Sequence, residues 1–524
     1  MTQLEPVGHP RRWTILAVMV VSLLVVVLDN TILNVALKTI ADPQAGLGAS
    51  QSDLEWSINS YTLVFAGLLF TAGLLGDRLG RRRMLVAGLV VFGIASLASA
   101  YAQSPGQLIA ARALMGLGAA GIMPATLAII SNVFEPRERA RAIGVWAGAV
   151  GLAVAIGPVA GGVLLEHFWW GSVFLVNVPI VIGGIIAIAL LVPESRNPAP
   201  GKIDLVGVLL SIAGLGVFVY GIITGGDSGE WGSAKVIVPV VAGVLILAAF
   251  VLYERRVEQP ALDVRLFRDP RFSAATGSVG LTFFAAMGSL FFGTFYLQLV
   301  RGYSPLETGL LFLPFAAAQL IFAPRSAGFA AKYGPRAVVA SGMVLVAASL
   351  GAFLLIGETT PIWVLGALYF VQGAGMGSVM APVTEVVMSS LPREKAGVGS
   401  AISNTVRQVG GALGVAVLGS VLSQVYRNGM EGPLAPLPEA AREAASESLA
   451  ATYAVADSSG PAGAALLGPA NAAFVDAMHW AAGGSAIVAL LGVAAVVRWM
   501  PGRAIRRTPE LVEAEETALV TENA

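Results

Sequence analysis

The chain has 524 residues, of which 56% are hydrophobic and 12% are charged, and its 32 basic and 32 acidic residues cancel. Soluble domains carry about 25% charged residues, so this composition excludes an ordinary soluble enzyme, a disordered chain and a nucleic-acid-binding protein. The absence of cysteine excludes disulfides, thiolate metal sites and thiol nucleophiles, and three scattered histidines disfavour a histidine metal site. We predict a polytopic membrane protein without a metal or cofactor.

Long apolar runs recur along the whole chain. A helix that crosses a bilayer needs about 20 such residues. Fourteen runs meet this length, near residues 13–37, 54–75, 84–102, 107–130, 142–165, 173–193, 204–224, 236–253, 273–298, 307–325, 337–356, 362–390, 398–422 and 475–498. These predict an all-α membrane protein with fourteen transmembrane helices.

The distribution of Lys and Arg supports this count. With a cytoplasmic N-terminus, the predicted inner segments carry 25 of the 32 basic residues, the outer segments carry five, and Arg112 and Arg407 lie within spans. Such an excess follows the positive-inside rule, and the removal of one span would invert every later loop. We therefore expect both termini to be cytoplasmic.

The spans divide the chain into five parts. The predicted parts are a cytoplasmic N-terminus at 1–12, an N-terminal six-helix bundle at 13–193, two inserted helices with a cytoplasmic linker at 194–272, a C-terminal six-helix bundle at 273–498 that includes an outer loop at 424–474, and a cytoplasmic tail at 499–524.

The two bundles show an internal repeat. The segment 76–82 resembles 331–336, and this pairs Gly80 with Gly334 at an offset of 254 residues. Gly116 in the fourth span similarly pairs with Gly373 in the twelfth. Parallel repeats of this kind are typical of transporters whose substrate site lies near the membrane midplane between the halves.

Several short motifs resemble signatures of one family. They lie at 28–37, 73–82, 112–116, 157–162, 174–179 and 296–298. Together they resemble the major facilitator superfamily and its fourteen-span drug:proton antiporter branch. The resemblance implies the major facilitator fold, with two six-helix bundles and two inserted helices. Lys38 and Met115 depart from it, because the family usually has Pro and Gln at these positions.

Two of these motifs suggest gating elements. The first is the loop motif, formed by Gly73, Asp77, Arg78, Gly80, Arg81 and Arg82. It is either a positive-inside anchor or a latch in which Asp77 meets the positive N-terminal end of a neighbouring helix; the resemblance implies the thirteenth span as partner. The second is the antiporter motif, formed by Gly157, Pro158, Gly161 and Gly162. Its small residues allow close helix packing, which is either purely structural or seals a gate.

Ionisable residues inside spans are costly and therefore suggest function. Asp29 lies about 24 Å along the first span and Arg112 about 27 Å from the inner end of the fourth, so the two can pair at similar depth. Such a pair either couples transport to protons or is a static neutralising pair. In the second half, Glu385 has three open roles: binding a cationic substrate, carrying a proton, or offsetting Arg407.

We expect transport rather than an enzyme activity, because the chain has neither a phosphate-binding loop nor a catalytic triad. The leading hypothesis is proton-coupled efflux of hydrophobic or amphipathic drugs and antibiotics across a bacterial cytoplasmic membrane by alternating access. The alternative is a secondary transporter for uptake or export of one small metabolite. The expected partners are substrate, protons and membrane lipids, with no nucleic acid, and a monomer is expected to suffice.

Overall fold

The computed structural model describes residues 9–196, 204–257, 260, 262–390, 396–458 and 461–502, with only the backbone for parts of this range, chiefly between 136 and 155 and between 396 and 401. The described secondary structure is helical. In the first half the helices are α1 (Arg12–Ala41), α2 (Gln51–Leu79), α3 (Arg81–Ala100), α4 (Pro105–Val133), α5 (Pro136–His167), α6 (Ser172–Leu175) and α7 (Asn177–Leu191).

Two further helices connect the halves, α8 (Leu205–Ser228) and α9 (Ala234–Glu254). The second half contains α10 (Pro270–Phe295), α11 (Pro305–Leu311), α12 (Leu313–Tyr333), α13 (Pro335–Ala352), α14 (Ile362–Ser389), α15 (Ala396–Leu434), α16 (Glu439–Glu447), α17 (Leu449–Ser458) and α18 (Pro461–Trp499). A π-helical turn, Tyr296–Val300, extends α10, and 3-10 turns lie at Val264–Arg268 and Phe353–Leu355.

The membrane-spanning character is confirmed by the lengths of these helices. Among the described residues, twelve helical segments are long and apolar enough to cross a membrane, and α2, which bends by 53° between 51–69 and 71–79, makes a thirteenth. Helix α5 occupies the place of the fifth predicted span. A helix thus lies at every predicted position, and a count of fourteen spans is compatible with the structure.

The helix ends follow from local sequence signals. Ser50 and Asp53 form a capping box at the start of α2, and Ser304 and Glu307 form another at the start of α11. Each box satisfies two backbone N–H groups that would otherwise lack partners. Such caps fix where the chain leaves a connection and enters the apolar span.

The internal repeat is visible in matching contacts. Gly80 and Gly334 have φ values of +116° and +88°, which glycine adopts at no steric cost, so both make the same sharp turn between consecutive helices. A methyl group on Gly116 would collide with the carbonyl oxygen of Tyr61, and one on Gly373 would collide with that of Phe315. Both pairs are offset by about 254–257 residues, which is the spacing that the repeat predicts.

The predicted outer loop at 424–474 is largely helical. Helix α15 continues to Leu434, α16 and α17 follow, and α18 begins at Pro461. Helix α15 thus extends past the predicted end of the thirteenth span near 422, and Arg427 of this extension donates hydrogen bonds to the carbonyl oxygens of Gly226 and Asp227 at the end of α8. The hydrogen-bond donors of the Arg427 side chain therefore find acceptors on a neighbouring helix.

The halves pack together along two seams. Helix α5 packs against α1 and α11, and α2 packs against α15. The inserted pair α8 and α9 lies on the second seam, where α8 contacts both α2 and α15. We call the membrane side that carries the α2–α3 turn the basic face and the other side the opposite face.

Candidate functional site

A buried ion pair lies in the middle of the first half. Asp29 of α1 and Arg112 of α4 are 1% and 0% exposed, and Arg112 Nη1 donates a hydrogen bond to Asp29 Oδ2. The Nε of Arg112 donates to the carbonyl oxygen of Ser57 in α2 at 3.1 Å. Asp29 and Arg112 are predicted to pair because they lie at similar depths along their helices, and the structure brings them together. The bond to Ser57 joins the pair to a third helix.

Asn177 at the start of α7 completes the polar network. Its Nδ2 donates to Asp29 Oδ1 at 3.3 Å and to Ser96 Oγ of α3 at 3.1 Å. The hydroxyl of Ser96 in turn donates to the carbonyl oxygen of Phe174 at 2.8 Å. Both carboxylate oxygens of Asp29 are therefore hydrogen-bonded. Sequence reasoning did not select Asn177 or Ser96 as site residues, although Asn177 lies in the 174–179 motif.

Aromatic and sulfur groups surround the arginine. The guanidinium lies 4.5 Å from the ring centroid of Tyr61, and its Nη1 lies 3.7 Å from Met115 Sδ. Met115 is one of the two departures from the family pattern. Arg112 Nη2 has no hydrogen-bond partner in the part of the chain that the structure describes. A buried ion pair with one unused donor is sensitive to any change in the charge of its partner, because the loss of one charge leaves the other uncompensated.

The second half carries a neutral counterpart. The repeat offset places Tyr369 opposite Arg112, and Gln372 nearby donates from Nε2 to Ser289 Oγ at 2.6 Å. Both side chains are fully buried. The two halves share a helix arrangement, but the midplane ion pair belongs to the first half.

Glu385 and Arg407 are not brought together. Glu385 on α14 is exposed, while Arg407 on α15 is half-buried and its guanidinium lies 5.5 Å from the ring centroid of Phe283. Within the described residues the two make no ion pair of 4.0 Å or less. Of the roles considered for Glu385, the geometry does not support an offset of Arg407.

The loop motif is held within the first half. Arg81 Nε donates to Asp77 Oδ1 at 3.0 Å, and Arg82 contacts the carbonyl oxygen of Val192 at 3.3 Å. Gly80 supplies the turn, a methyl group on Gly73 would lie 3.7 Å from Pro124 Cβ, and Arg78 is exposed. The predicted partner of Asp77 is the start of the thirteenth span; residues 391–395 before it lie outside the described residues, so the latch stays a prediction.

The antiporter motif makes α5 a close neighbour of two helices. A methyl group on Gly157 would collide with Thr31, and one on Gly161 would lie 3.1 Å from Ile32, both in α1. Gly162 lies against Pro305 and Leu306 at the start of α11, and Gly309 of α11 lies against the carbonyl oxygen of Pro158. The motif thus brings α5 into backbone contact with the other half.

The same face carries hydrogen bonds between the halves. Lys38 Nζ donates to the carbonyl oxygen of Gln298 at 3.1 Å, and Gln298 Nε2 donates to that of Val35 at 2.9 Å. Lys38 is the second departure from the family pattern. Together with the α5–α11 contact, these bonds close the opposite face of the molecule.

Comparisons with known proteins find one matching family and several similar proteins. The sequence pattern of the Major Facilitator Superfamily matches residues 19–415. The chain is 36% identical to the multidrug efflux pump LfrA of Mycolicibacterium smegmatis, over 88% of this chain and 91% of that protein. It is 35% identical to a tetracenomycin C resistance and export protein of Streptomyces glaucescens, over 79% and 76% of the two chains. It is 34% identical to the methyl viologen resistance protein SmvA of Salmonella typhimurium, over 89% and 93%.

A solved structure has a similar fold. It is a bacterial homolog of the human lysosomal transporter Spinster, captured in an inward-facing, unoccupied conformation. The TM-score is 0.66 at 17% sequence identity, with 95% of this chain and 99% of that chain covered. This likeness concerns the arrangement of the helices.

Proposed function

Because the chain belongs to the major facilitator superfamily of membrane transporters, we propose that it exports hydrophobic or amphipathic drugs and antibiotics by proton-driven alternating access. Export of drugs is supported by the relatives, which are named for multidrug efflux, tetracenomycin C export and methyl viologen resistance. The buried Asp29–Arg112 pair is the observation that carries the coupling to protons.

Asp29 is the proposed proton carrier. Addition of a proton to its carboxylate removes the charge that holds Arg112, so the hydrogen bonds that join α1, α4 and α7 must rearrange. Such a change in helix contacts is what couples a proton to a movement of the halves. In the proposed cycle, substrate enters with the opposite face closed and displaces a proton from Asp29 into the cytoplasm, the halves rock, and a proton from outside reloads Asp29 after substrate leaves.

The proposed orientation puts the basic face in the cytoplasm. This places both termini inside and follows the positive-inside excess of Lys and Arg. The α5–α11 contact and the Lys38–Gln298 bond then close the outer side, which is the state that accepts substrate from the cell. We expect the cytoplasmic membrane of a bacterium as the location and a single chain as the working unit.

Transport of several unrelated compounds tests the function. Cells that express the protein should accumulate less rhodamine 6G, puromycin and methyl viologen than cells with an empty vector, and a proton uncoupler should erase the difference. Efflux that persists in the uncoupler would contradict proton coupling. Activity toward one metabolite alone, with no effect on any of the three drugs, would favour the specific secondary transporter instead.

The proposed latch gives a prediction at the basic face. Asp77→Asn removes the only carboxylate of the 76–83 loop and its bond to Arg81. We expect efflux to fall by about tenfold or more, because closure of the cytoplasmic side would lose roughly one charge-assisted interaction of 1.5–3 kcal/mol. Efflux of rhodamine 6G per molecule of membrane-inserted protein checks this. Unchanged efflux at equal abundance would show that the loop only anchors the topology.

A further inference from the structure

A cavity of about 400 Å³ lies beside the second seam, away from the ion pair. Its walls come from all three parts of the molecule: Gly67 of α2, Ser211 of α8, Phe250 of α9, Gly277 of α10, and Thr405 and Val406 of α15. The inserted helices α8 and α9 form its wall on the side away from the halves. We call this space the lateral cavity.

Packing closes the lateral cavity toward the opposite face. Beyond it, α2, α8 and α15 are joined by an apolar cluster of Leu63, Val219, Ile223, Ala412 and Ala416. Ser420 Oγ of α15 also donates to the carbonyl oxygen of Ile222 in α8 at 2.9 Å. Helices α8 and α9 are therefore attached to the second seam on the side of the opposite face. Toward the basic face they leave space, which is the lateral cavity.

The lateral cavity lies at the depth of the leaflet nearer the basic face. Val208 and Phe250, which line it, are about 4.5 Å and about 6 Å along the helix from the ends of α8 and α9 at that face. Leu262 of the following linker closes its lower end, where its N–H donates to Glu254 Oε2 at 3.2 Å. Compounds dissolved among the acyl chains of this leaflet lie at the same depth as the cavity.

The lining selects for a mainly apolar compound. None of the described lining residues is charged, and a Cβ at Gly277 would meet no atom of another element within 4 Å, so this glycine leaves the space open. Thr405 Oγ1 is buried and has no hydrogen-bond partner in the part of the chain that the structure describes. Drug-sized ligands occupy pockets of about 300–1,000 Å³ that are mostly apolar with a few polar groups, and the lateral cavity matches both features.

We propose that the lateral cavity is an access site, in which an amphipathic substrate taken from the inner leaflet is held before it passes between α2 and α15. This inference rests on the proposed export of drugs and assigns a role to the inserted helices. The occupant is a drug-sized aromatic compound with a hydrogen-bonding group that meets the Thr405 hydroxyl. A hydrophilic substrate such as methyl viologen does not partition into the leaflet and has no need of this site.

The test fills the cavity without disturbing its walls. A side chain at Gly277 or at Gly216 would begin in open space, because its Cβ would meet no described atom within 4 Å beyond its own stretch of helix, but only Gly277 lines the cavity. Purified Gly277→Phe in nanodiscs should bind rhodamine 6G about tenfold more weakly than wild type, whereas Gly216→Phe should bind it normally. In cells, methyl viologen efflux by Gly277→Phe should stay at the wild-type rate.

A second variant addresses the polar group. Thr405→Val keeps the shape of the side chain and removes its hydroxyl, and we expect about threefold weaker binding of puromycin. Equal rhodamine 6G binding by Gly277→Phe and Gly216→Phe would overturn the access site. So would a co-purifying phospholipid that Gly277→Phe loses while its dye binding stays normal. If wild type binds the dye at this site but exports no drug, the proposed function fails and the site stands.

Discussion

Replacing Asp29 by asparagine is expected to abolish accumulation of drug against a gradient and to destabilise the protein. The variant leaves Arg112 fully buried without its anionic partner, which costs about 3–5 kcal/mol in comparable buried pairs. It also removes the carboxylate through which the polar network would carry a proton. Thermal unfolding in detergent and pH-gradient-driven uptake of rhodamine 6G into inside-out vesicles measure the two effects separately.

The double variant Asp29→Asn with Arg112→Gln separates proton coupling from charge neutralisation. Removal of both charges from a buried pair is often neutral or stabilising, so the unfolding temperature should recover toward that of wild type. Gradient-driven uptake should stay absent, while exchange of labelled for unlabelled rhodamine 6G without a gradient should continue. Recovery of gradient-driven uptake in the double variant would show that the pair is a static neutralising element and that the proton binds elsewhere.

The sequence predicts the ion pair because helical rise is regular. Depth along a membrane helix follows from residue counting at about 1.5 Å per residue, and this counting alone places Asp29 and Arg112 at one level. Their partner Asn177 is harder to predict, because it lies at a helix start next to the short α6. An amide side chain is also less costly to place within a membrane than a charged one, so its presence in a span is less informative. Only the 174–179 motif pointed to it.

The same counting does not decide whether Glu385, with its three open roles, meets Arg407. Depth does not fix the rotation of a residue about the helix axis, which changes by about 100° from one residue to the next. Val383 and Val386 occupy the buried face of α14, so Glu385 between them points away from it. Arg407 meets an aromatic ring instead. The direction in which a residue points from its helix depends on how the neighbouring helices pack. That packing cannot be read from a single sequence.

The extension of α15 shows a second limit. Hydropathy falls after residue 422, where Gln424, Arg427 and Asn428 follow, and this predicts a loop. The helix continues to Leu434, and within this extension Arg427 binds carbonyl oxygens of the last turn of α8. A helix end has four such carbonyl groups without partners, and a cation from another helix satisfies them. Tertiary contact therefore overrides the local signal.

Enlarging Gly162 is expected to prevent closure of the opposite face. A methyl group there would lie 2.5 Å from Leu306 Cα and 2.8 Å from the carbonyl oxygen of Pro305, and backbone cannot move aside as a flexible side chain can. Gly162→Ala should therefore separate α5 from α11, which lowers drug efflux by about tenfold if the closed state loses about 1.4 kcal/mol. Gly183→Ala is the matched control, because a methyl group there would meet no described atom within 4 Å beyond its own stretch of helix.

The absence of cysteine from the chain allows a direct measurement of this closure. Thr308 of α11 is fully buried, so Thr308→Cys introduces a single thiol that the closed opposite face shields from solvent. In resting, right-side-out vesicles a membrane-impermeant maleimide should label this thiol about tenfold faster when Gly162→Ala is added, since opening exposes it. Labelling as slow as in the Gly183→Ala control would mean that the face still closes, and that the antiporter motif packs helices without gating them.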